Sequence, residues 1–348
     1  MICVTRHILI ARGDGTPPVR LPCGEGRTIL SAALAGGLGF PYECASGGCG
    51  ACRYELLEGG VETLWDAAPG LSPRDRKKGN RHLACQTRPL GDVTISATLA
   101  ERYVPPVPVQ RMSGTVAHLE PLTHDMIELA LRTPAPAEFV PGQFMLLGDA
   151  TPQGVRRAYS MAGLPGDDGL WRFYLKRVPG GRFTGEVMDH LAEGASLAME
   201  GPLGLATYRP QSSNVLCIAG GSGLAPMVAV ARAALADPCA GDVRLFYGAR
   251  TKNDLVDPRR LGLPVPGKVP AQSAPRNFSF VQALSAEAGA DWGGPRGLIH
   301  EVVDAALVDE AADHDVFVGG PPAMVEAVVR MLLGRGLPRE RIHFDAFY

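Results

Sequence analysis

The chain has 348 residues, of which 46% are hydrophobic and 20% charged, and its net charge at pH 7 is −2. This length predicts two or three domains, and the composition is that of a folded globular protein. The near-neutral charge gives no reason to expect a nucleic-acid or membrane partner. No segment resembles a signal peptide, and the uncharged, mostly apolar stretch 215–231 is interrupted by glycines and Pro226. We therefore expect a cytoplasmic protein.

Six of the eight cysteines lie in the first hundred residues, and four of them have a defined spacing. Cys44, Cys49 and Cys52 form C-x4-C-x2-C, and Cys85 follows after 32 residues. Plant-type ferredoxins hold a [2Fe–2S] cluster with ligands at this spacing. Glycines between the cysteines allow the tight loop that two irons and four thiolates require. Structural zinc also takes four thiolates and is the alternative, although zinc sites usually pair two C-x2-C motifs.

Two short helices and a proline-rich connector divide the first part of the chain. Thr28 caps a predicted helix that ends at Gly36 or Gly37, and Ser72 caps a second one that starts with Pro73. The segment YVPPVPVQR has three prolines in four positions and predicts a stiff linker. The predicted regions are a cysteine-containing domain (1–101), a linker (102–111), a strand-rich domain (112–208) and an α/β domain (209–348).

Residues 112–208 predict short antiparallel strands with one helix over 183–194, a pattern that is typical of a small barrel. Two motifs in this region suit a flavin. In RAYS, Arg157 can hold pyrophosphate, Tyr159 can stack on the isoalloxazine ring, and Ser160 can hydrogen-bond near its reactive nitrogen. In GGRFT, a Gly-Gly turn offers N–H groups to an anion. Each motif alone is also compatible with an ordinary strand or turn.

From residue 209 strands and helices alternate, which predicts a parallel sheet covered by helices. The segment AGGSGLAPM follows an apolar strand, and its glycines let a nucleotide phosphate approach the start of a helix. The pattern is GGxGxxP rather than GxGxxG, so a plain strand-to-helix turn is the alternative. A second turn, VGGPPAM, follows a later apolar strand, and two such turns at one sheet edge predict a ligand crevice.

In this order, YECASGGCGAC, RAYSMA, GGRFT, AGGSGLAPM and GGPPAM resemble the NADH-dependent reductase components of bacterial multicomponent oxygenases. The resemblance covers nearly the whole chain. It implies a β-grasp plant-type ferredoxin domain, an antiparallel FAD-binding barrel and a C-terminal parallel-sheet NAD-binding domain. The segments NRHLACQTRPLGDVTI and IHFDAFY look most like reductases of soluble diiron monooxygenases that act on aromatics or alkenes. A Rieske-type dioxygenase reductase is the nearest alternative, and a non-catalytic iron–sulfur or zinc redox sensor is the alternative from another class.

By this resemblance, each cofactor has a set of binding residues. The cluster ligands would be Cys44, Cys49, Cys52 and Cys85. FAD would be held by Arg157, Tyr159, Ser160, Gly181, Arg182 and Thr184. NADH would be held by Gly220, Gly221, Gly223, Pro226, Arg250, Gly320 and Pro321. Phe347, with Tyr348 beside it, would cover the isoalloxazine face where the nicotinamide stacks, so that Tyr159, Ser160 and Phe347 would surround the reacting atoms.

Two features leave the nucleotide site less defined. Gly319 stands where the family commonly has the Cys of Cys-Gly-Pro-Pro, so any contribution of that thiol is absent. Arg250 and Lys252 could favour the 2′-phosphate of NADPH, whereas Asp254 nearby would repel it. The resemblance favours NADH.

The resemblance also implies an electron path and a partner. The nicotinamide gives a hydride, the flavin accepts the electron pair, and the cluster passes single electrons to an oxygenase component or an intermediary ferredoxin. Docking would be transient and would use the cluster-bearing face. The charged run Arg74–Lys78 is a candidate contact there, with a solvated loop as the alternative. We expect a monomer.

Overall fold

The computed structural model describes residues 5–12, 15–148, 156–210, 213–264, 278–286, 291–307 and 313–348, except the side chains of residues 182, 186 and 187. The strands are β1 (Arg6–Ala11), β2 (Val19–Cys23), β3 (Arg53–Glu58), β4 (Val61–Thr63), β5 (Arg81–Leu83), β6 (Thr87–Pro89), β7 (Val93–Ser96), β8 (Gln110–Pro121), β9 (Met126–Arg132), β10 (Phe144–Gly148), β11 (Arg156–Ser160), β12 (Leu170–Lys176), β13 (Ser196–Leu203), β14 (Asn214–Gly220), β15 (Val243–Ala249), β16 (Phe278–Leu284), β17 (His314–Gly320) and β18 (Ile342–Ala346). The α-helices are α1 (Ile29–Ala35), α2 (Pro73–Lys78), α3 (Leu224–Ala236), α4 (Ile299–Ala306) and α5 (Pro322–Gly334).

The N-terminal domain is built on a five-stranded sheet in the order β2-β1-β7-β3-β5. The β1–β7 pair is parallel and the other pairs are antiparallel. Helix α1 begins where predicted, because the Thr28 hydroxyl accepts a hydrogen bond from the Ser31 N–H at 3.1 Å. Its apolar residues pack with those of β1 and β7 in one core. This is the expected β-grasp arrangement.

The middle domain is a six-stranded antiparallel sheet in the order β11-β10-β13-β8-β9-β12. A bridge between Met161 and Phe173 joins the two edges, so the sheet closes into the predicted barrel. Two predictions need correction. Residues Arg182–Val187 form a π-helical turn and Met188–His190 a 3₁₀ turn, instead of one helix over 183–194. Strand β8 begins at Gln110, so the end of the predicted linker is already paired with β13.

The C-terminal domain is a parallel sheet in the order β16-β15-β14-β17-β18, as the alternation of strands and helices predicts. Neighbouring residues of β14 point to opposite faces: Cys217 packs with α3, and Leu216 and Ile218 pack with α4 and α5. The carboxyl ends of β14 and β17 therefore lie side by side at one edge, where both glycine-rich turns follow. Among the described residues, no helix has the length and apolar character needed to span a membrane.

The three domains share their cores. Phe144 and Leu203 of the barrel belong to the same apolar cluster as the N-terminal domain. Met126 and Tyr174 of the barrel pack with α3 of the C-terminal domain. The barrel therefore shares an apolar cluster with each of the other two domains.

Candidate functional site

The four spaced cysteines form two pairs. The Cys52 and Cys85 sulfurs lie 3.3 Å apart, and the thiols of Cys44 and Cys49 share a hydrogen bond. Within the described part of the chain, no three of these sulfurs lie within 4.8 Å of one another. A single tetrahedral zinc would bring all four sulfurs to about 3.8 Å of each other. Two irons take two thiolates each. The arrangement thus fits a [2Fe–2S] cluster and does not fit zinc.

Backbone N–H groups point at the sulfurs of the first pair. Cys44 Sγ accepts from the N–H of Ser46 at 3.5 Å and of Cys49 at 3.3 Å, and Cys49 Sγ accepts from Ala51 at 3.4 Å. The hydrogen bond from the Cys49 thiol and the N–H groups of Ser46 and Cys49 lower the pKa of the Cys44 thiol. Such donors favour the thiolate that binds iron and help to set the potential of a cluster.

Glycines fix the path of this loop. Gly47 and Gly50 have φ of +95° and +78°, in the region that residues with a Cβ rarely adopt. A Cβ at Gly50 would lie 2.4 Å from the Gly70 carbonyl oxygen. Gly70 in turn donates its N–H to the Gly47 carbonyl at 2.9 Å. The loop is therefore closed by backbone contacts that no larger residue permits.

A cavity of about 390 Å³ collects most of the residues predicted to bind the flavin. Arg157, Tyr159 and Ser160 come from β11, and Gly181 and Thr184 from the following turn. Phe347 and Tyr348, from the last segment of the chain, line the cavity too. Cys44 of the cluster loop and Ser222 of the first glycine-rich turn complete its wall. The cavity thus brings together residues from all three domains.

The cavity has the parts that a flavin requires. The ring of Tyr159 packs against Phe183 with centroids 5.2 Å apart. Thr184 Oγ1 accepts the Val178 N–H at 3.1 Å, which fixes the predicted pyrophosphate turn. Gly180 in this turn has φ of +70°. The side chain of Arg182 lies outside the described part of the structure.

Asp345 is a site residue that the sequence did not reveal. It lines the cavity, and Ser160 Oγ donates to its Oδ2 at 3.3 Å. Burial raises the pKa of this carboxyl to about 7, and the hydrogen bond from Ser160 lowers it in part. No sequence pattern signalled this contact, because Ser160 lies 185 positions away.

The two glycine-rich turns touch each other at the sheet edge. A Cβ at Gly223 would lie 2.0 Å from the Gly319 carbonyl oxygen. In the other direction, a Cβ at Gly319 would lie 2.9 Å from the Gly223 carbonyl oxygen. Gly221 has φ of +56°. Pro226 lies in the first turn of α3, and α5 follows directly after Pro321. The predicted nucleotide residues of these two turns, Gly220, Gly221, Gly223, Pro226, Gly320 and Pro321, are therefore clustered.

The final segment connects the three sites. The Phe347 N–H donates to the Gly320 carbonyl at 2.9 Å, which ties the segment to the second turn. Tyr348 packs on the cluster loop, where a Cβ at Gly48 would lie 2.1 Å from the Tyr348 Cβ. Both aromatic side chains line the flavin cavity.

Three charged residues follow β15, of which one is buried in the fold and two lie nearer the surface. Asp254 is buried, accepts the Thr251 N–H at 3.0 Å and pairs with Lys176 at 3.1 Å. Lys252 pairs with Asp291. Arg250 is exposed. The charge of Asp254 is thus neutralised within the fold.

A buried carboxylate joins the N-terminal domain to the barrel. Glu200, which is 2% exposed, pairs with Arg156 and with Arg111, whose Nε lies 2.9 Å away. It also accepts the hydroxyl of Ser31 from α1. Arg111 reaches further, to the Gly26 carbonyl at 3.0 Å. The cluster-bearing domain is therefore held against the barrel by charged hydrogen bonds as well as by apolar packing.

Known domain families match the chain in the predicted order. The 2Fe-2S iron-sulfur cluster binding domain matches residues 13–90. The oxidoreductase FAD-binding domain matches residues 113–208, and the oxidoreductase NAD-binding domain matches residues 217–330.

Individual proteins match over nearly the full length. The chain is 48% identical over 327 residues to the ferredoxin–NAD(P)+ reductase CarAd of Metapseudomonas resinovorans, which covers 94% of this chain and 96% of that one. It is 38% identical to the ferredoxin–NAD(+) reductase component of the alkene monooxygenase system of Xanthobacter autotrophicus, over 93% of this chain and 97% of that one. The solved ferredoxin reductase in carbazole 1,9a-dioxygenase superposes with a TM-score of 0.89 at 43% identity, covering 99% of both chains.

Proposed function

Because the chain belongs to the ferredoxin–NAD(P)+ reductases, which are NAD(P)H-dependent oxidoreductases with FAD and a [2Fe–2S] cluster, we propose that it is the reductase component of an oxygenase system. One observation carries the proposal. Cys44 of the cluster loop, Tyr159 of the barrel and Ser222 of the nucleotide turn line the same cavity. A nicotinamide nucleotide, a flavin and an iron–sulfur cluster bound at these residues would therefore be neighbours.

The bound groups supply the redox chemistry: FAD takes a hydride from the nicotinamide, and the cluster delivers electrons one at a time. The chain supplies positions for them. Cys44, Cys49, Cys52 and Cys85 would bind the irons. Arg157 and the turn at Gly181–Thr184 would hold the pyrophosphate, and Tyr159 would support the ring. Phe347 would cover the ring face until nicotinamide replaces it.

Ser160 and Asp345 would manage a proton beside the ring. Their side chains are hydrogen-bonded, and both line the cavity. Because the pKa of Asp345 is raised to about 7, its carboxyl is partly protonated at neutral pH. Asp345 Oδ2 can therefore hold a proton or release it through Ser160 Oγ without a large energetic cost.

The partner would dock near the cluster loop. Helix α2 has no buried residue and exposes Arg74, Lys77 and Lys78. The segment before α2 contacts the cluster loop through the bond between Gly70 and Gly47. An exposed basic surface beside a cluster attracts an acidic protein carrier and speeds its transient association.

Two partner classes are candidates. The resemblance of NRHLACQTRPLGDVTI and IHFDAFY favours a soluble diiron monooxygenase acting on an aromatic or alkene, and the alkene monooxygenase relative is in line with it. The 48% identity to CarAd and the 0.89 TM-score of the carbazole 1,9a-dioxygenase reductase favour the second candidate, a dioxygenase served through an intermediary ferredoxin. Reconstituting turnover with each carrier, purified separately, distinguishes the two.

NADH is the proposed donor. Of the two cations in residues 250–254, Lys252 is paired with Asp291. Arg250 remains as an exposed cation near the end of β15. One exposed arginine is a weaker basis for phosphate selectivity than a bidentate or paired site.

The test is a visible spectrum of the purified chain, followed by anaerobic addition of NADH and, separately, NADPH. We expect flavin peaks with a broad iron–sulfur shoulder that bleaches with NADH at far lower concentration than with NADPH. A colourless chain that contains zinc would support the redox-sensor alternative and contradict the proposal. Bleaching with NADPH alone would overturn only the choice of donor.

A further inference from the structure

Glu200 is joined to the strand that carries the proposed flavin residues. Strand β10 lies between β11 and β13, and its Leu146 is opposite Ala158 on one side and Glu200 on the other. Arg156 of β11 reaches across β10 and pairs with the Glu200 carboxylate. Arg156 lies three residues before Tyr159 in the same strand. The sheet hydrogen bonds and this ion pair therefore fix Glu200 relative to the flavin strand.

The same carboxylate contacts the domain that holds the cysteines. It accepts the hydroxyl of Ser31, which is buried in α1. The apolar residues of α1 share one core cluster with Ala84 and Cys85, and α1 packs against the 3₁₀ turn Ala84–Gln86 that carries this cysteine. A continuous set of contacts thus leads from the flavin strand through Glu200 to a cluster ligand.

A second contact from the end of β13 reaches the other part of the ligand set. Four residues after Glu200, the Gly204 N–H donates to the Tyr42 hydroxyl at 3.1 Å. Tyr42 is fully buried and precedes Cys44 by two residues. One strand of the barrel therefore supports the N-terminal domain at two points, both of them close to cluster ligands.

At the first of these points one carboxylate faces three guanidiniums. Arg111 and Arg156 of the barrel pair with Glu200. Arg27, from the N-terminal domain, donates to Ser31 Oγ at 3.3 Å. Burial lowers the pKa of Arg27, Arg111 lowers it further, and Glu200 raises it. Without the charge of Glu200, Arg27 and Arg111 would repel each other across the domain boundary.

We propose that Glu200 is a positioning residue for electron transfer, because its carboxylate holds the cluster-bearing domain at a fixed distance from the flavin strand. The inference rests on the proposed function, in which the flavin passes electrons to the cluster. Electron transfer slows steeply as the two groups move apart, so a small displacement of the N-terminal domain affects that step. Hydride transfer to the flavin needs no electron transfer through the cluster. Glu200 therefore acts on the second step of the path rather than on the first.

The experiment measures the two steps separately in the full-length chain with FAD and cluster bound, after rapid anaerobic mixing with NADH. Glu200→Gln removes the charge and keeps the size of the side chain. We expect transfer from the reduced flavin to the cluster to slow about tenfold or more, and reduction of the flavin to change less than about twofold. Glu200→Asp keeps the charge and should recover part of the rate. The matched control is Glu128→Gln, because Glu128 is a buried carboxylate that pairs with Arg172 within the barrel; it should change neither step.

Amide hydrogen exchange gives a readout that does not depend on electron transfer. The Gly204 amide is hydrogen-bonded to Tyr42 across the domain boundary, so its exchange reports separation of the two domains. We expect the peptide that contains Gly204 to exchange faster in Glu200→Gln than in the wild type, and at the wild-type rate in Glu128→Gln. Ser31→Ala removes the contact from the side of the N-terminal domain and should slow transfer to the cluster in the same direction. It keeps the test available if Glu200→Gln does not fold.

Three results would overturn the proposal. The first is transfer to the cluster at the wild-type rate in both Glu200→Gln and Ser31→Ala. The second is an equal slowing of both steps together with loss of FAD, which would assign Glu200 to flavin binding. The third is the same slowing in Glu128→Gln, which would indicate a general loss of barrel stability. Failure of the proposed function itself would differ, because the wild-type chain would then bind no flavin or would not be reduced by NADH.

Discussion

The cluster loop and the flavin cavity are built in opposite ways. In the loop, residues 44–52 supply three of the four sulfurs, and backbone N–H groups and glycines shape it. The cavity instead takes side chains from β11, the turn at 180–184, the first glycine-rich turn and the final segment. A site within one short segment depends on local backbone geometry. A site assembled from distant segments depends on how three domains pack.

The largest effect should come from a cluster ligand. Cys49→Ser replaces a thiolate, so we expect electron delivery to a protein acceptor to fall by at least about 100-fold, beyond the loss typical of an outer-sphere change. Reduction of the flavin by NADH should continue, because that step needs no electron transfer through the cluster. Stopped-flow absorbance separates the two steps. Cys239→Ser, at an exposed thiol, is the control and should change neither. Loss of both steps in Cys49→Ser would show that the two sites are not independent.

The second largest effect should come from a change to the backbone of the cluster loop. Gly50→Ala places a Cβ 2.4 Å from the Gly70 carbonyl oxygen at a φ of +78°. We expect a loss of about 2–3 kcal/mol in stability and a lower iron content per chain. Gly91→Ala, in the same domain with no atom within 4 Å of the added Cβ, should be neutral. Equal iron content in Gly50→Ala and Gly91→Ala would contradict the view that backbone contacts close the loop.

The same contrast decides how much the sequence can reveal. The spacing of Cys44, Cys49 and Cys52 predicted their loop, because ligands and glycines are neighbours in the chain. RAYS and the glycine-rich turns were readable for the same reason. Asp345 was not, because its role comes from a contact with Ser160 that only the packing of domains creates. The π-helical turn at 182–187 was also beyond reach, since its hydrogen-bond pattern differs from an α-helix without a distinct residue pattern.

A third effect, seen as a dependence of stability on pH, concerns Asp345. Its pKa in the folded chain is about 7, above that of an exposed carboxyl, so the folded state keeps a proton that the unfolded state loses. The stability of the wild type should therefore fall, relative to Asp345→Asn, as pH rises from about 4 to about 7, and the difference should be constant above that. Thermal unfolding between pH 5 and 8 measures it, with Asp66→Asn, at an exposed position, as the control. A difference that does not change with pH would mean that Asp345 is not protonated in the fold.

The smallest effect tests the contact between the two nucleotide turns. A Cβ at Gly319 would lie 2.9 Å from the Gly223 carbonyl, and Gly319 pairs with Asp345 in the sheet. We expect Gly319→Ala to cost about 1 kcal/mol of stability and to raise the KM for NADH a few-fold, with FAD content unchanged. Gly334→Ala, in α5 with open space around the added Cβ, is the control. Gly319→Cys restores the residue that the family commonly has. If its kcat/KM for NADH exceeds that of the wild type, the thiol outweighs the contact; we expect it to match Gly319→Ala, because both substitutions place a Cβ 2.9 Å from the Gly223 carbonyl oxygen.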